Sequence, residues 1–98
     1  MQTIIRKLDE NCIDQEIMKE AGALLKSGAL VAFPTETVYG LGGDALQADS
    51  ARKIYEAKGR PSDNPLIIHI SKWEDIYHIC REIPMEAKKL ADIFWPGP

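Results

Sequence analysis

Apolar residues along this chain fall into blocks of two kinds, some spaced as on one face of a helix and some unbroken. Ile4, Ile5 and Leu8 stand among polar residues and predict a short opening strand that ends at Asp9-Glu10-Asn11. Ile17, Ala21, Leu24 and Leu25 then return at helical spacing, which places one stripe of a helix against a core. Asp14 stands where an N-cap would accept hydrogen bonds from the free amides of the first turn. Ile13 and Met18 flank it at the spacing of a hydrophobic staple, and Gly28 suits the left-handed residue that closes such a helix.

Ala29-Leu30-Val31-Ala32-Phe33 is an unbroken apolar run, the pattern of a strand covered on both faces. Pro34 stops its ladder because it has no amide hydrogen to donate. The stretch 34–49 is dense in Gly and Thr and reads as a long loop, with a helical turn near Tyr39. A second helix is predicted from about Ser50 to Lys58, burying Ala51, Ile54 and Tyr55, with Gly59 and Pro61 as its stop. Leu66-Ile67-Ile68-His69-Ile70 predicts a second buried strand. Ser71-Lys72-Trp73-Glu74 has the form of a capping box, so a third helix is expected at once, with Trp73, Ile76, Tyr77 and Cys80 on its apolar face. Pro84 suits the first position of a fourth helix that turns Ala87, Leu90, Ala91 and Phe94 inward.

Strands alternating with helices predict a layered α/β fold. The visible strands are few for a sheet covered on both sides, and Trp95-Pro96-Gly97-Pro98 forms a turn that leads onward. The expectation is that residues 1–98 are a fragment of a larger domain. Strand edges left bare in this way would invite association.

Composition narrows the function. The chain has 98 residues, 45% of them hydrophobic and 28% charged, the balance of a globular protein. Its net charge of −3 opposes a general electrostatic grip on nucleic acid. No apolar run approaches the ~18 residues of a membrane span, and the start is not a secretory signal, so a cytoplasmic protein without membrane contact is expected. Cys12 and Cys80 are too few for a disulfide scaffold and lack metal-ligand spacing.

Candidate chemistry concentrates in two stretches. Pro34-Thr35-Glu36-Thr37-Val38-Tyr39-Gly40-Leu41-Gly42-Gly43 follows the first buried run, at the strand end where open α/β sheets bind ligands. Its threonine hydroxyls can orient a polar ligand, and its glycines let backbone approach closely. The same residues also suit a plain chain reversal, and local pattern does not separate the two. Lys58-Gly59-Arg60-Pro61-Ser62-Asp63-Asn64-Pro65 offers two cations that would clamp a polyphosphate. Local rules alone favour the simpler reading here, a lysine complementing a helix dipole and a glycine closing the helix. His69 is either a ligand-facing group at a strand end or a core histidine with satisfied nitrogens.

Taken together, Ala32-Phe33-Pro34-Thr35-Glu36-Thr37-Val38-Tyr39-Gly40-Leu41-Gly42, Lys58-Gly59-Arg60-Pro61, Asn64-Pro65-Leu66 and Trp95-Pro96-Gly97-Pro98 resemble the Sua5/YciO/YrdC family. The blocks occur in the family's order and cover nearly the whole chain. The resemblance implies an L-threonylcarbamoyladenylate synthase, a nucleotidyltransferase that joins L-threonine, bicarbonate or CO2 and ATP, and releases pyrophosphate. The product serves threonylcarbamoyl modification of a tRNA adenosine. It implies that Thr35, Thr37 and His69 bind L-threonine, with Thr37 the closer match to the family's residue. Lys58 and Arg60 are implied as the catalytic pair on the ATP phosphates, with Asn64 also at the ATP site and Mg2+ arriving with the nucleotide. It further implies a twisted mixed α/β sheet with flanking helices in a single domain about twice this length, of which residues 1–98 are the N-terminal part, truncated after Pro98, so that this chain carries half an active site and is inactive alone. A non-catalytic module binding double-stranded RNA or tRNA is the alternative, and a related carbamoyl-transfer domain ranks after it.

Overall fold

The computed structural model describes residues 2–59 and 65–97. The candidates Arg60 and Asn64 lie outside the described residues. The chain divides into two units, Met1–Leu66 and Ile67–Pro98.

In the first unit, helix α1 spans Gln15–Lys26. Asp14 caps it as expected: its Oδ1 accepts from the Glu16 amide at 2.9 Å and the Ile17 amide at 3.4 Å. Ser27 is the C-cap, and Gly28 follows at φ 92°, a left-handed value that favours glycine. Replacing Asp14 by Ala should therefore cost about 1 kcal/mol of helix stability. The check is a lower thermal midpoint with reduced helical ellipticity, and an unchanged midpoint would mean that the cap is energetically silent.

Strands β1 (Val31–Phe33) and β2 (Gly40–Gly42) pair antiparallel, with Val31 opposite Gly42, Ala32 opposite Leu41 and Phe33 opposite Gly40. Strand β1 is thus one edge of a hairpin rather than a strand enclosed on both sides, and Ala32 and Phe33 stay exposed. Strand β2 lies where the sequence predicts loop, because a Gly-Leu-Gly run carries no alternating or β-branched signal. The Phe33 ring explains the glycine: a Cβ at Gly40 would stand 2.9 Å from its edge atoms.

Helix α2 spans Ala48–Lys58, and Gly59 follows at φ 64°. Its Ile54, 6% exposed, is the one buried apolar residue among the described residues, and Ser50 is fully buried beside it. A Cβ on Gly43 would lie 3.1 Å from both Leu30 Cδ2 and Ser50 Cβ and 3.5 Å from Ile54 Cδ1. The core therefore sits where α2 crosses the end of β2, with Leu30 packed against it.

The opening strand does not form. Residues 2–8 have no ladder partner, Ile5 is 84% exposed, and only an isolated bridge joins Asp9 to Cys12. A strand needs a neighbour to satisfy its backbone, and the described residues supply none.

In the second unit a 3-10 helix spans Trp73–His78 and helix α3 spans Met85–Phe94. The residues Leu66–Ile70, predicted as a buried strand, belong to no strand, and Ile67 is 83% exposed. The capping box also fails: Lys72 is the cap, no side chain bonds there, and the element is 3-10 rather than α. Helix α3 begins one residue after the predicted Pro84, which is its N-cap. Of its four expected inward residues only Ala91 is half-buried, while Ala87, Leu90 and Phe94 are exposed. Trp73 and Trp95 meet edge to face, ring centroids 6.0 Å apart, and join the start of this unit's helical part to its end.

Candidate functional site

The hairpin connection 34–39 carries the two candidate threonines. The Thr35 hydroxyl accepts from the Thr37 amide at 3.2 Å and donates to the Val38 carbonyl oxygen. That spends its only proton, so in the 3.5 Å contact between the two hydroxyls Thr37 is the donor. Thr35 is thus occupied in shaping the turn. Thr37, held by it at an exposed position, keeps acceptor capacity for an outside group. Thr35 thus folds the loop, as a plain chain reversal expects, and Thr37 stands exposed beside it.

Lys58 ends α2 and is exposed. The position of α2 is set by a clasp on the carbonyls that end α1. Lys53 Nζ donates to the Gly28 carbonyl at 2.8 Å, Ser50 Oγ donates to the same oxygen at 3.4 Å, and Gln47 Nε2 donates to the Lys26 carbonyl at 3.0 Å. Such contacts satisfy acceptors that a helix C-terminus leaves orphaned, and the Lys53 cation complements its dipole.

Sequence reasoning missed this clasp. Its signal was present in Asp44-x-x-Gln47, an acidic residue followed three positions later by a glutamine just before α2. Asp44 Oδ1 accepts from the Leu46 amide and Oδ2 from Gln47 Nε2, each at 2.9 Å.

These two donors, Gln47 foremost, hold the Asp44 carboxyl below its ordinary value of 3.8, against a smaller opposing effect of desolvation. A carboxyl with a lowered folded-state pKa adds stability that is present above the ordinary carboxylate range and is lost as pH falls through the folded-state value. Asp44→Asn should therefore lower the thermal midpoint at neutral pH, and the gap from the parent chain should close in acid. A gap independent of pH would contradict the assignment.

His69 is exposed in the second unit. Its Nδ1 lies 3.3 Å from the Ile67 carbonyl, which only accepts, so Nδ1 is the donor in that contact. The core-histidine alternative falls, since the ring is not buried. Of the sequence candidates, then, Thr35 and Thr37 are joined directly, Lys58 is carried on the clasped helix, and His69 belongs to the other unit.

That second unit also contains a cleft of about 300 Å³ lined by Trp73, Tyr77, Cys80, Arg81, Ile83 and Lys88 among others. No group of three or more His, Cys, Asp or Glu side chains suited to a metal ion occurs among the described residues. Nor is any helix among them long and apolar enough to cross a membrane.

The family model Sua5/YciO/YrdC, described as telomere recombination, matches residues 23–98. The chain belongs to the Sua5/YciO/YrdC family. The threonylcarbamoyl-AMP synthase of Pyrococcus abyssi is 53% identical over 96 residues, which cover 98% of this chain and 28% of that protein. The enzyme of the same name from Bacillus subtilis is 51% identical over 89 residues, covering 91% of this chain and 26% of the relative. A crystal structure of P. abyssi Sua5 complexed with L-threonine matches with a TM-score of 0.90 at 52% identity, over 97% of this chain and 28% of that one. The mixed α/β architecture is thus that of the family. The chain spans little more than a quarter of the length of these relatives.

Proposed function

We propose that this chain contributes the N-terminal part of an L-threonylcarbamoyladenylate synthase site. The observation that carries the reading is its likeness, at a TM-score of 0.90, to a Sua5 protein whose crystal structure is a complex with L-threonine. In this reading Thr37 and His69 contact threonine, and Thr35 holds the loop that presents Thr37. Lys58 and Arg60 engage the ATP phosphates, with Asn64 beside them.

The chemistry suits these residue types. The threonine amine adds to CO2 to give a carbamate, and a carbamate oxygen attacks the α-phosphorus of ATP. The bond from that phosphorus to the bridging oxygen breaks, and pyrophosphate leaves with the electron pair. Negative charge builds on the phosphoryl oxygens along this path, so fixed cations stabilise the transition state more than the ground state. Positioning and electrostatics supply the rate, and no protein nucleophile is needed.

Magnesium would enter with the substrate as MgATP and would supply charge neutralisation at the phosphates, beside Lys58 and Arg60. In this reading the acyl product is destined for a tRNA adenosine and the reaction is cytoplasmic. The alternative, an RNA-binding module without catalysis, is opposed by the net charge of −3.

Threonine binding is tested in a chimera that joins this chain to the rest of P. abyssi Sua5, so that the site is complete. Thr37→Val should weaken L-threonine about 10-fold, the value of one net hydrogen bond, with no loss of thermal stability. Calorimetric titration checks it. Unchanged affinity would remove Thr37 from the site.

A further inference from the structure

The end of α1 satisfies part of its own backbone. The Ala29 amide donates to the Leu24 carbonyl and the Gly28 amide to the Leu25 carbonyl, each at 3.0 Å. The Lys26 and Gly28 carbonyls receive no backbone amide among the described residues, and these are the two that α2 takes. On the Gly28 oxygen, Lys53 Nζ is the closer donor at 2.8 Å and Ser50 Oγ the farther at 3.4 Å. Lys53 is also the one cation in the clasp, which makes its bond the stronger kind.

Lys53 makes no ion pair among the described residues, so its ammonium is given to a carbonyl rather than to a carboxylate. Lys58 stands five residues further along the same helix. That separation is a rise of about 7.5 Å and a turn of roughly 140° about the axis, so the two lysines leave the helix on different sides. Gly59 ends α2 directly after Lys58, and of the helix's described side chains only Ile54 is both apolar and buried. Helix α2 is thus fixed by Ile54 and by the clasp, with Lys58 on the overhang. Without the clasp it is held at Ile54 and free to turn about that point, and Lys58 moves with it.

We infer that Lys53 is a positioning residue for Lys58, which by anchoring α2 to the Gly28 carbonyl fixes where the Lys58 ammonium stands. The inference rests on the synthase reading for the task of Lys58 and adds the residue that aims it. A cation stabilises developing charge best when it is already in place, because no reorganisation is then left for the moment of reaction. A displacement of about 1 Å caused from far away can cost about 100-fold in rate. Loss of one bond from a clasp that keeps Ser50 and Gln47 belongs below that limit, at about 10-fold.

The test uses the chimera and reads pyrophosphate release per folded molecule, well below each thermal midpoint. Lys53→Met keeps the unbranched stem and removes the donor, and Lys53→Gln keeps a neutral donor on a shorter stem. Turnover should fall about 10-fold in the first and less in the second, with L-threonine affinity by calorimetry unchanged in both. Lys53→Arg should restore most of the turnover, since it keeps the charge and the donors. Adding Lys53→Met to Lys58→Ala should cost less than about 2-fold more, because the group that Lys53 aims is then already gone. Full turnover in Lys53→Met and Lys53→Gln would overturn the inference. So would an equal loss in the Lys58→Ala background, which would show that Lys53 acts on the fold at large. Lys58→Ala at full rate would instead overturn the part of the synthase reading on which the inference stands.

Discussion

Lys58→Ala in the chimera should reduce pyrophosphate release by about 100-fold or more, the scale seen when one fixed donor to a developing oxyanion is removed. Lys58 ends α2, is exposed, and forms no ion pair among the described residues, so its loss should leave the thermal midpoint unchanged. The loss should fall on turnover more than on threonine affinity, because the lysine is proposed to face phosphate. Lys58→Arg should recover part of the rate, since charge is kept while the compact ammonium is exchanged for a planar fork. Arg60→Ala should act on the same step, and the double variant should cost less than the two single losses combined, as expected when two cations serve one charge. A Lys58→Ala chimera at full rate would return this residue to its simpler part, that of a helix-ending cation.

Ile54→Ala should have the largest effect on folding. Truncating a buried isoleucine costs about 2–5 kcal/mol, a large share of the stability of any small domain. Here Ile54 is the one buried apolar residue among those described, and it packs with Leu30 over Gly43 and Ser50. Among the described residues no other apolar side chain is buried there to make up the loss. The helix α2 would be released from β2, and the clasp from Gln47, Ser50 and Lys53 onto the end of α1 would loosen with it. Thermal unfolding followed by ellipticity should show a lower and broader transition, while Ile5→Ala, at an exposed position, should change little. Equal effects at the two positions would mean that the core lies elsewhere.

What the sequence displayed and what it concealed divide along a physical line. Local signals held: the Asp14 cap, the Gly28 and Gly59 helix ends and the helical stripe of α1 depend only on neighbours within a turn or two. Predictions that needed distant partners fared differently. The opening residues 2–8 and the run Leu66–Ile70 have strand composition, but a strand exists only against another strand, and none lies beside them among the described residues. The run Ala29–Phe33 pairs on one side only, so its central place in a sheet is not realised here. Strand β2 was hidden for the opposite reason: its Gly-Leu-Gly composition is chosen by the Phe33 ring across the hairpin, which no local rule reports.

The site shows the same division. The loop 34–39 was readable as a candidate from its hydroxyls and its place after a strand, but which threonine folds the loop became visible only from the Thr35 hydrogen bonds. Lys58 could not be told from an ordinary helix-ending lysine by local rules, and the family blocks around it supplied the functional reading. The Asp44–Gln47 pair was readable in its spacing, yet its task, holding α2 onto the end of α1, needs two elements brought together in space.

The most direct test of the central claim is pyrophosphate release from ATP by the chimera, measured with and without L-threonine and bicarbonate. The account predicts release that requires both together, and its near loss in the Lys58→Ala chimera. Release indifferent to L-threonine, or none from a folded chimera that binds ATP, would contradict it.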